Sequence, residues 1–238
     1  MSELKAFIQS RGIPPGKAAD ATMKLMKYRD EVLKWNDKVN LTSITNPEEF
    51  IQKHFIDSLL CVNSTEFKKA KTIIDVGTGA GFPGIPLAVL FPEKQLILLD
   101  SLQKRLKIVK ELADDLNIEN VRIVHGRAED LAREPAYREK FDLCVSRAVA
   151  NLSTLAELCL PFVKTGGTFI AYKGPDCDLE IAEAQRAIKV LGGKMNRMDN
   201  TDAEGIGMNH VLIYINKVGA TPKHFPRKAG TPGKQPIL

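Results

Sequence analysis

The chain has 238 residues, of which 44% are hydrophobic and 26% charged, a composition typical of globular proteins. This length accommodates one sizeable domain with an appendage. No apolar run is long enough to span a bilayer, and the polar N-terminus lacks the pattern of a signal peptide. We therefore expect a cytoplasmic protein without a membrane partner.

Cysteines and histidines show no pattern of a disulfide framework or a metal site. Four cysteines and four histidines are widely spaced, and no C-x-x-C motif occurs. Such cysteines are typical of buried, reduced thiols in a cytoplasm. The histidines lack the spacing of metal ligands, so we expect no metal.

The first region, residues 1–66, has the pattern of helices. Leu25, Tyr28 and Val32 recur at spacings of three and four residues, which predicts the buried face of one helix. Residues 46–49 read Asn-Pro-Glu-Glu, combining an N-cap, a first-turn proline and two acids that favour the helix dipole. They predict the start of a second helix that continues to Leu59.

The second region, residues 67–216, alternates strand and helix signals. Short apolar runs predict strands at 72–76, 95–99, 121–124, 141–146, 167–172, 194–198 and 209–216. Helical patterns between them fall at 83–91, 103–116, 153–163 and 177–191. This alternation predicts an α/β, Rossmann-like fold with a mostly parallel sheet and helices on both faces.

Residues 73–83, Ile-Ile-Asp-Val-Gly-Thr-Gly-Ala-Gly-Phe-Pro, are the most informative segment. A strand-like run is followed by glycines that can take positive φ and let the backbone approach a ligand. The next predicted strand ends in Asp100, where a carboxylate can accept hydrogen bonds from ribose hydroxyls. This order is typical of a site for an adenosine-bearing cofactor.

The glycine loop is compatible with two kinds of cofactor, NAD(P) and S-adenosylmethionine, but its residues favour the second. Gly79, Gly81 and Gly84 also spell the G-x-G-x-x-G of NAD(P)-binding proteins, so an NAD(P)-dependent oxidoreductase is one alternative. Asp75, just before the loop, would repel a pyrophosphate but suits the cationic S-adenosylmethionine. A third interpretation is that these residues only build a tight turn.

Further strings along nearly the whole chain resemble one family of class I S-adenosylmethionine-dependent methyltransferases. The chain closely resembles the ribosomal RNA small subunit methyltransferase G family, also called glucose-inhibited division protein B. The strings lie at 35–36, 40–43, 54–59, 75–86, 99–101, 104–105, 127–129, 146–148 and 172–174. The resemblance implies that the last strand, near 209–216, is antiparallel.

The resemblance also implies a set of cofactor-binding residues. Gly77 and Phe82 match residues that contact the cofactor, Ala128 and Glu129 match the pair that contacts adenine, and Arg147 matches a cofactor-binding arginine. Together with the residues of the loop and the second strand, the expected S-adenosylmethionine site comprises Asp75, Gly77, Gly79, Phe82, Asp100, Ala128, Glu129 and Arg147. Without the resemblance, Arg147 would be interpreted as an ordinary ion pair at the sheet edge.

The target implied by the resemblance is N7 of a guanine in 16S, small-subunit ribosomal RNA. Because N7 carries a lone pair and no proton, its methylation requires no general base. The sequence assigns no catalytic residue, and Arg147 is a candidate for positioning. Ser146-Arg147-Ala148 stands where amine-directed enzymes carry an Asn/Asp-Pro-Pro-aromatic motif. A non-catalytic RNA-binding protein on the same fold is the second alternative.

The third region, residues 217–238, contains five basic residues, no acid and four prolines, and so accounts for the whole net charge of +5. The prolines predict an extended arm without helix, and its charge suits RNA phosphates, although a solvated tail is the simpler alternative. The candidate RNA contacts are Lys173, Lys223, Arg227, Lys228 and Lys234. We expect the tail to be independent of the cofactor site, and a monomer that acts on free RNA or on RNA within a small subunit.

Overall fold

The computed structural model describes residues 1–147, 150–202 and 209–238. The α-helices are α1 (Ser2–Ser10), α2 (Pro15–Asn36), α3 (Pro47–Phe50), α4 (Thr65–Lys69), α5 (Gly84–Leu90), α6 (Gln103–Asp115), α7 (Ala128–Leu131), α8 (Leu152–Cys159), α9 (Asp178–Val190) and α10 (Thr231–Lys234). The strands are β1 (Thr72–Val76), β2 (Gln95–Asp100), β3 (Val121–His125), β4 (Phe141–Arg147), β5 (Val163–Lys173), β6 (Gly193–Asp202) and β7 (Asn209–Lys217).

The seven strands form one sheet in the order β3-β2-β1-β4-β5-β7-β6. Strands β1 to β5 pair in parallel, whereas β7 is antiparallel to both of its neighbours, β5 and β6. The predicted Rossmann-like sheet with an antiparallel last strand is confirmed. This order brings the carboxyl ends of β1, β2 and β3 to one edge, where ligands bind in open α/β sheets.

Each face of the sheet is covered by its own apolar cluster. Because side chains alternate along a strand, Ile73 of β1 packs with the N-terminal helices, while Ile74 packs with α8 and α9 on the other face. The N-terminal helices therefore share a core with the sheet. Within the described residues, no helix has the length and apolar character needed to cross a bilayer.

The predicted buried face and N-cap of the N-terminal helices are present in the structure, but the second helix is not regular along its whole length. Leu25, Tyr28 and Val32 of α2 are buried, and the Asn46 side chain caps α3 by accepting hydrogen bonds from two backbone N–H groups. Within the second predicted helix, Ile51–Ile56 forms a π-helix, and a 3₁₀-helix at Leu60–Asn63 follows its predicted end. Packing on the sheet, which local sequence does not specify, overrides regular helix here.

The C-terminal segment differs most from expectation, because it packs on the body of the protein. The Arg138 guanidinium donates to the carbonyl oxygens of Thr221, Pro222 and Phe225 at 2.7, 3.2 and 2.9 Å. The short helix α10 carries Pro232 in its first turn, where a missing N–H costs little. The predicted extended, helix-free arm is wrong, since residues upstream satisfy its backbone.

Candidate active site

A cavity of about 350 Å³ opens at the carboxyl ends of β1, β2 and β3. Its volume falls within the range of small-molecule sites. Five residues of the predicted cofactor site line it: Gly77, Gly79, Asp100, Ala128 and Glu129. The lining also includes residues without a predicted role in the site: Leu99, Ser101, Arg105, Arg127 and Leu158.

The loop after β1 is fixed to the end of β2 by backbone hydrogen bonds. The N–H groups of Gly77 and Thr78 both donate to the carbonyl oxygen of Leu99, at 2.8 and 3.0 Å. Gly77 and Gly79 have φ of 76° and 59°, in the left-handed region that glycine adopts at little cost. The loop therefore exposes bare backbone to the cavity.

Gly84, the third glycine of the NAD-like pattern, has a different task. A Cβ at this position would lie 2.0 Å from Cδ2 of Leu98 and 2.9 Å from Oδ2 of Asp75. Gly84 thus permits close packing of α5 on β2. The third glycine of a dinucleotide-binding loop has the same packing role, so Gly84 does not discriminate between the two cofactors.

Asp100 is oriented by two backbone N–H groups. Its Oδ2 accepts from Gly79 at 2.9 Å, and its Oδ1 accepts from Leu102 at 2.8 Å. A carboxylate oxygen has two lone pairs, so each retains capacity for another donor. Asp100 is consequently held in one orientation at the cavity, with the acceptor chemistry that ribose hydroxyls require.

Asp75 is fully buried behind the loop. Its Oδ2 accepts from the Thr78 hydroxyl at 2.6 Å and from Gly84 N–H at 2.9 Å, while its Oδ1 has no hydrogen-bond partner among the described residues. Burial raises the pKa of the Asp75 carboxyl to about 7, although these hydrogen bonds act in the opposite direction. Asp75 does not line the cavity, so its contact with the cationic end of a cofactor stays a prediction.

Glu129 joins the cavity to the C-terminal segment. It is nearly buried, and its Oε1 accepts a hydrogen bond of 2.8 Å from the backbone N–H of Gly230. The C-terminal segment thus contacts a residue of the predicted cofactor site, and its independence of cofactor binding stays untested. The two residues are separated by 101 positions, and no local sequence signal connects them.

Phe82 is not among the residues that line this cavity. Its ring stacks on His54, with centroids 4.4 Å apart and planes 6° apart, and also contacts Phe50 and Phe55. Nearby, the Tyr28 hydroxyl donates to the Ala80 carbonyl at 2.9 Å. These contacts support the glycine loop from the N-terminal helices, and a cofactor contact by Phe82 stays a prediction.

Arg147, at the end of β4, forms an ion pair with the N-terminal region. Its Nη1 lies 2.6 Å from Asp57 Oδ2 and 2.7 Å from the Lys53 carbonyl oxygen. Asp57 is fully buried and also contacts His210. Burial raises the pKa of Asp57, but the His210 hydrogen bond and the Arg147 charge outweigh it, and the net pKa is lowered.

His54 completes this cluster as a neutral ring. Burial, reinforced by the Arg147 charge, lowers the His54 pKa to about 3. Its Nδ1, 2.9 Å from Arg147 Nη2, must therefore accept, and its Nε2 carries the proton and donates to the Thr42 hydroxyl at 2.8 Å. Thr42, His54 and Asp57 lie in the family-like strings at 40–43 and 54–59, but no role was predicted for any of them.

The candidate RNA contacts fall into two groups. Lys173 lies 2.5 Å from Glu180, and Arg227 lies 2.6 Å from Glu157, so both cations form ion pairs and are only partly exposed. The other three candidates are exposed on the C-terminal segment: Lys223, Lys228 and Lys234. An RNA contact stays a prediction for all five.

Residues 21–210 match the family model GidB, described as rRNA small subunit methyltransferase G. The chain belongs to this family. It is 51% identical over 214 residues to the ribosomal RNA small subunit methyltransferase G of Alkaliphilus metalliredigens, covering 90% of each chain. It is 48% identical over 218 residues to the protein of that name from Clostridium perfringens strain 13, covering 92% of this chain and 91% of the relative.

Solved structures agree at the level of the fold. The ribosomal protein L11 methylase from Lactobacillus delbrueckii subsp. bulgaricus superposes with a TM-score of 0.52 at 16% identity, covering 70% of this chain and 79% of the methylase. Together with the strand order, this likeness shows the class I methyltransferase fold. Membership of the methyltransferase G family decides against the NAD(P)-dependent oxidoreductase.

Proposed function

We propose that the protein transfers a methyl group from S-adenosyl-L-methionine to N7 of a guanine in 16S, small-subunit ribosomal RNA. The observation that carries the proposal is the cavity at the strand ends, where Gly77, Asp100 and Glu129 converge in a chain of the methyltransferase G family. Its donors and acceptors match the chemistry of that cofactor.

Each part of the cofactor has a matching group. When bound, the cofactor supplies an electrophilic methyl carbon on a sulfonium. Asp100 would accept hydrogen bonds from the ribose hydroxyls, and Ala128 with Glu129 would hold the adenine. We propose that the buried Asp75 carboxyl, whose Oδ1 has no hydrogen-bond partner among the described residues, loses its proton when the cationic end of the cofactor binds.

A guanine N7 needs positioning more than proton transfer. Its lone pair attacks directly, so placing the base in line with the methyl group supplies much of the catalysis. The groups beside Arg147 are consistent with this: His54 is neutral with Nδ1 facing Arg147, and Asp57 is buried and ion-paired. These groups hold Arg147 at the end of β4, where we propose that it positions cofactor and base.

A reconstituted assay tests the proposal. Purified protein would be incubated with methyl-labelled S-adenosylmethionine and either 16S RNA or small subunits that lack the modification. We expect label at a guanine, identified as N7-methylguanine by reduction and aniline cleavage of the RNA chain. Asp100→Ala should abolish most incorporation, because it removes the acceptor for the ribose.

The same assay distinguishes the remaining alternatives. Comparing free RNA with small subunits determines which form is the substrate, and sedimentation tests the expected monomer. RNA binding without incorporation into either substrate would contradict the proposal and favour the non-catalytic RNA-binding protein. Incorporation at an exocyclic amine or at a pyrimidine carbon would retain the methyltransferase and refute the N7 assignment.

A further inference from the structure

The segment after β7, residues 218–238, crosses the protein and contacts the wall of the cavity; we call it the C-terminal strap. Its contact is the hydrogen bond from Gly230 N–H to Glu129 Oε1, 2.8 Å long. Gly230 has a φ of 81°, in the left-handed region, and directly precedes α10. Because a backbone N–H makes this contact, residue type alone does not disclose it.

Gly230 is held between two anchors on α8. On one side, the Arg227 backbone N–H and guanidinium bind the Glu157 carboxylate, at 2.7 and 2.6 Å, and the Glu157 side chain is only 1% exposed. On the other side, the Thr154 hydroxyl donates to the Pro232 carbonyl at 3.1 Å. Leu158, next to Glu157, lines the same cavity.

The hydrogen bond uses part of the Glu129 carboxylate and leaves the rest available. One lone pair of Oε1 is occupied, whereas the second lone pair and Oε2 can accept from a ligand. A mobile glutamate side chain loses rotamer freedom when it forms a hydrogen bond to a ligand. A contact that orients the side chain before the ligand arrives therefore reduces the entropy cost of ligand binding.

We propose that the C-terminal strap is a positioning element of the cofactor site: Gly230 orients Glu129 to accept from the amino group of a bound adenine ring. This inference rests on the proposed use of S-adenosylmethionine. If Gly230 orients Glu129, docking of the strap and binding of the cofactor are thermodynamically coupled, and each favours the other by the same factor.

Two deletions test this coupling by calorimetry with S-adenosylhomocysteine. Deleting 229–238 removes Gly230 and leaves the new terminal carboxylate on Lys228, beside its own ammonium. Deleting 236–238 is the matched control, which removes the contacts of Ile237 and Leu238 and keeps Gly230. We expect the longer deletion to weaken binding about tenfold, or about 1.4 kcal/mol, and the control to change it less than about twofold.

A double-variant cycle separates positioning from general destabilisation. In a Glu129→Ala background, the longer deletion should change affinity less than about twofold, since the strap acts through Glu129. The same tenfold loss in both backgrounds would overturn the inference, as would equal affinities of the wild type and the longer deletion. If the wild type itself fails to bind S-adenosylhomocysteine, the proposed function fails instead.

Hydrogen exchange provides a measurement on the intact chain, whatever the stability of the deletion. Saturating S-adenosylhomocysteine should slow exchange of the Gly230 amide by about tenfold, because the coupling is reciprocal. The amide of Gly12, in the loop between α1 and α2, is a control whose exchange should not change. Unchanged exchange at Gly230 with the ligand bound would overturn the inference.

Discussion

At Asp75, burial and the proposed ligand have opposite effects on the carboxyl proton. Burial raises the pKa in the folded protein to about 7 from an ordinary value of 3.8. The folded state therefore binds the proton more tightly than the unfolded chain, and Asp75 lowers stability progressively as pH rises from about 4 to about 7. A cationic ligand favours the carboxylate and reverses this effect.

Cofactor affinity should consequently depend on pH through this residue. Lowering the pH from about 8 to about 6 should weaken S-adenosylmethionine binding about tenfold, because the ligand must displace a proton from Asp75. Asp75→Asn should bind more weakly at the higher pH and show a flatter profile. Calorimetry across this range measures both, and a flat wild-type profile would show that Asp75 does not face the cationic end of the ligand.

Arg147 is structural as well as a candidate for cofactor binding, because it neutralises the buried Asp57. Arg147→Ala should lower the free energy of unfolding by about 1–3 kcal/mol, the usual cost of losing a hydrogen bond to a buried charged group, because the His210 contact with Asp57 remains. Adding Asp57→Asn should recover part of that loss, while methyl transfer stays low in both variants.

Denaturant titration of the single and double variants measures this coupling. Lys110→Ala, which breaks the exposed Lys110–Asp114 pair, is a control that should change stability by less than about 1 kcal/mol. Additive losses from Arg147→Ala and Asp57→Asn would show that the ion pair does not determine the stability of this cluster.

Two neighbouring basic residues of the C-terminal strap should differ in their effect on stability, because one is ion-paired and the other is exposed. Arg227→Ala removes the guanidinium that neutralises buried Glu157 and leaves the backbone N–H of residue 227 as a donor, so it should lower the free energy of unfolding by about 3–5 kcal/mol. Lys228→Ala, one residue further at an exposed position, should change it by less than about 0.5 kcal/mol. Thermal or chemical denaturation measures both, and equal stability of the two variants would contradict the docked strap.

Elements that sequence predicts well here are those with long, regular patterns. The strands around the glycine loop and the helices α5, α6 and α9 combine apolar periodicity with clear boundaries, and they agree with the structure within a few residues. Helix α1 was not predicted, although Leu4, Phe7 and Ile8 have helical spacing. Helices α4, α7 and α10 are too short for periodicity to identify, since tertiary contacts stabilise them.

The site shows the same limit. Gly77, Gly79 and Asp100 were predictable because a loop and the end of the next strand specify them locally. The pairs Arg147–Asp57 and Gly230–Glu129 join positions 90 and 101 residues apart, and the sequence alone does not reveal such partners. The contacts of the N-terminal region and of the C-terminal strap with the predicted site residues are therefore visible only in the structure.

For the whole molecule, the distribution of charge makes a prediction about RNA. Two of the five basic residues after 216, Lys217 and Arg227, are paired with Glu139 and Glu157, which leaves three exposed lysines for phosphate contacts: Lys223, Lys228 and Lys234. Changing these three to Gln should weaken RNA binding and reduce the log–log salt slope by up to about three, with cofactor affinity unchanged. An unchanged salt slope would exclude the strap from the RNA interface.

We propose that this chain methylates a guanine N7 in small-subunit ribosomal RNA. The most direct test maps N7-methylguanine along 16S RNA from cells with and without the gene, using reduction and aniline cleavage. We expect one guanine whose N7 methylation disappears without the gene and returns with the wild-type gene but not with Asp100→Ala. Identical N7-methylguanine maps from both kinds of cell would contradict it.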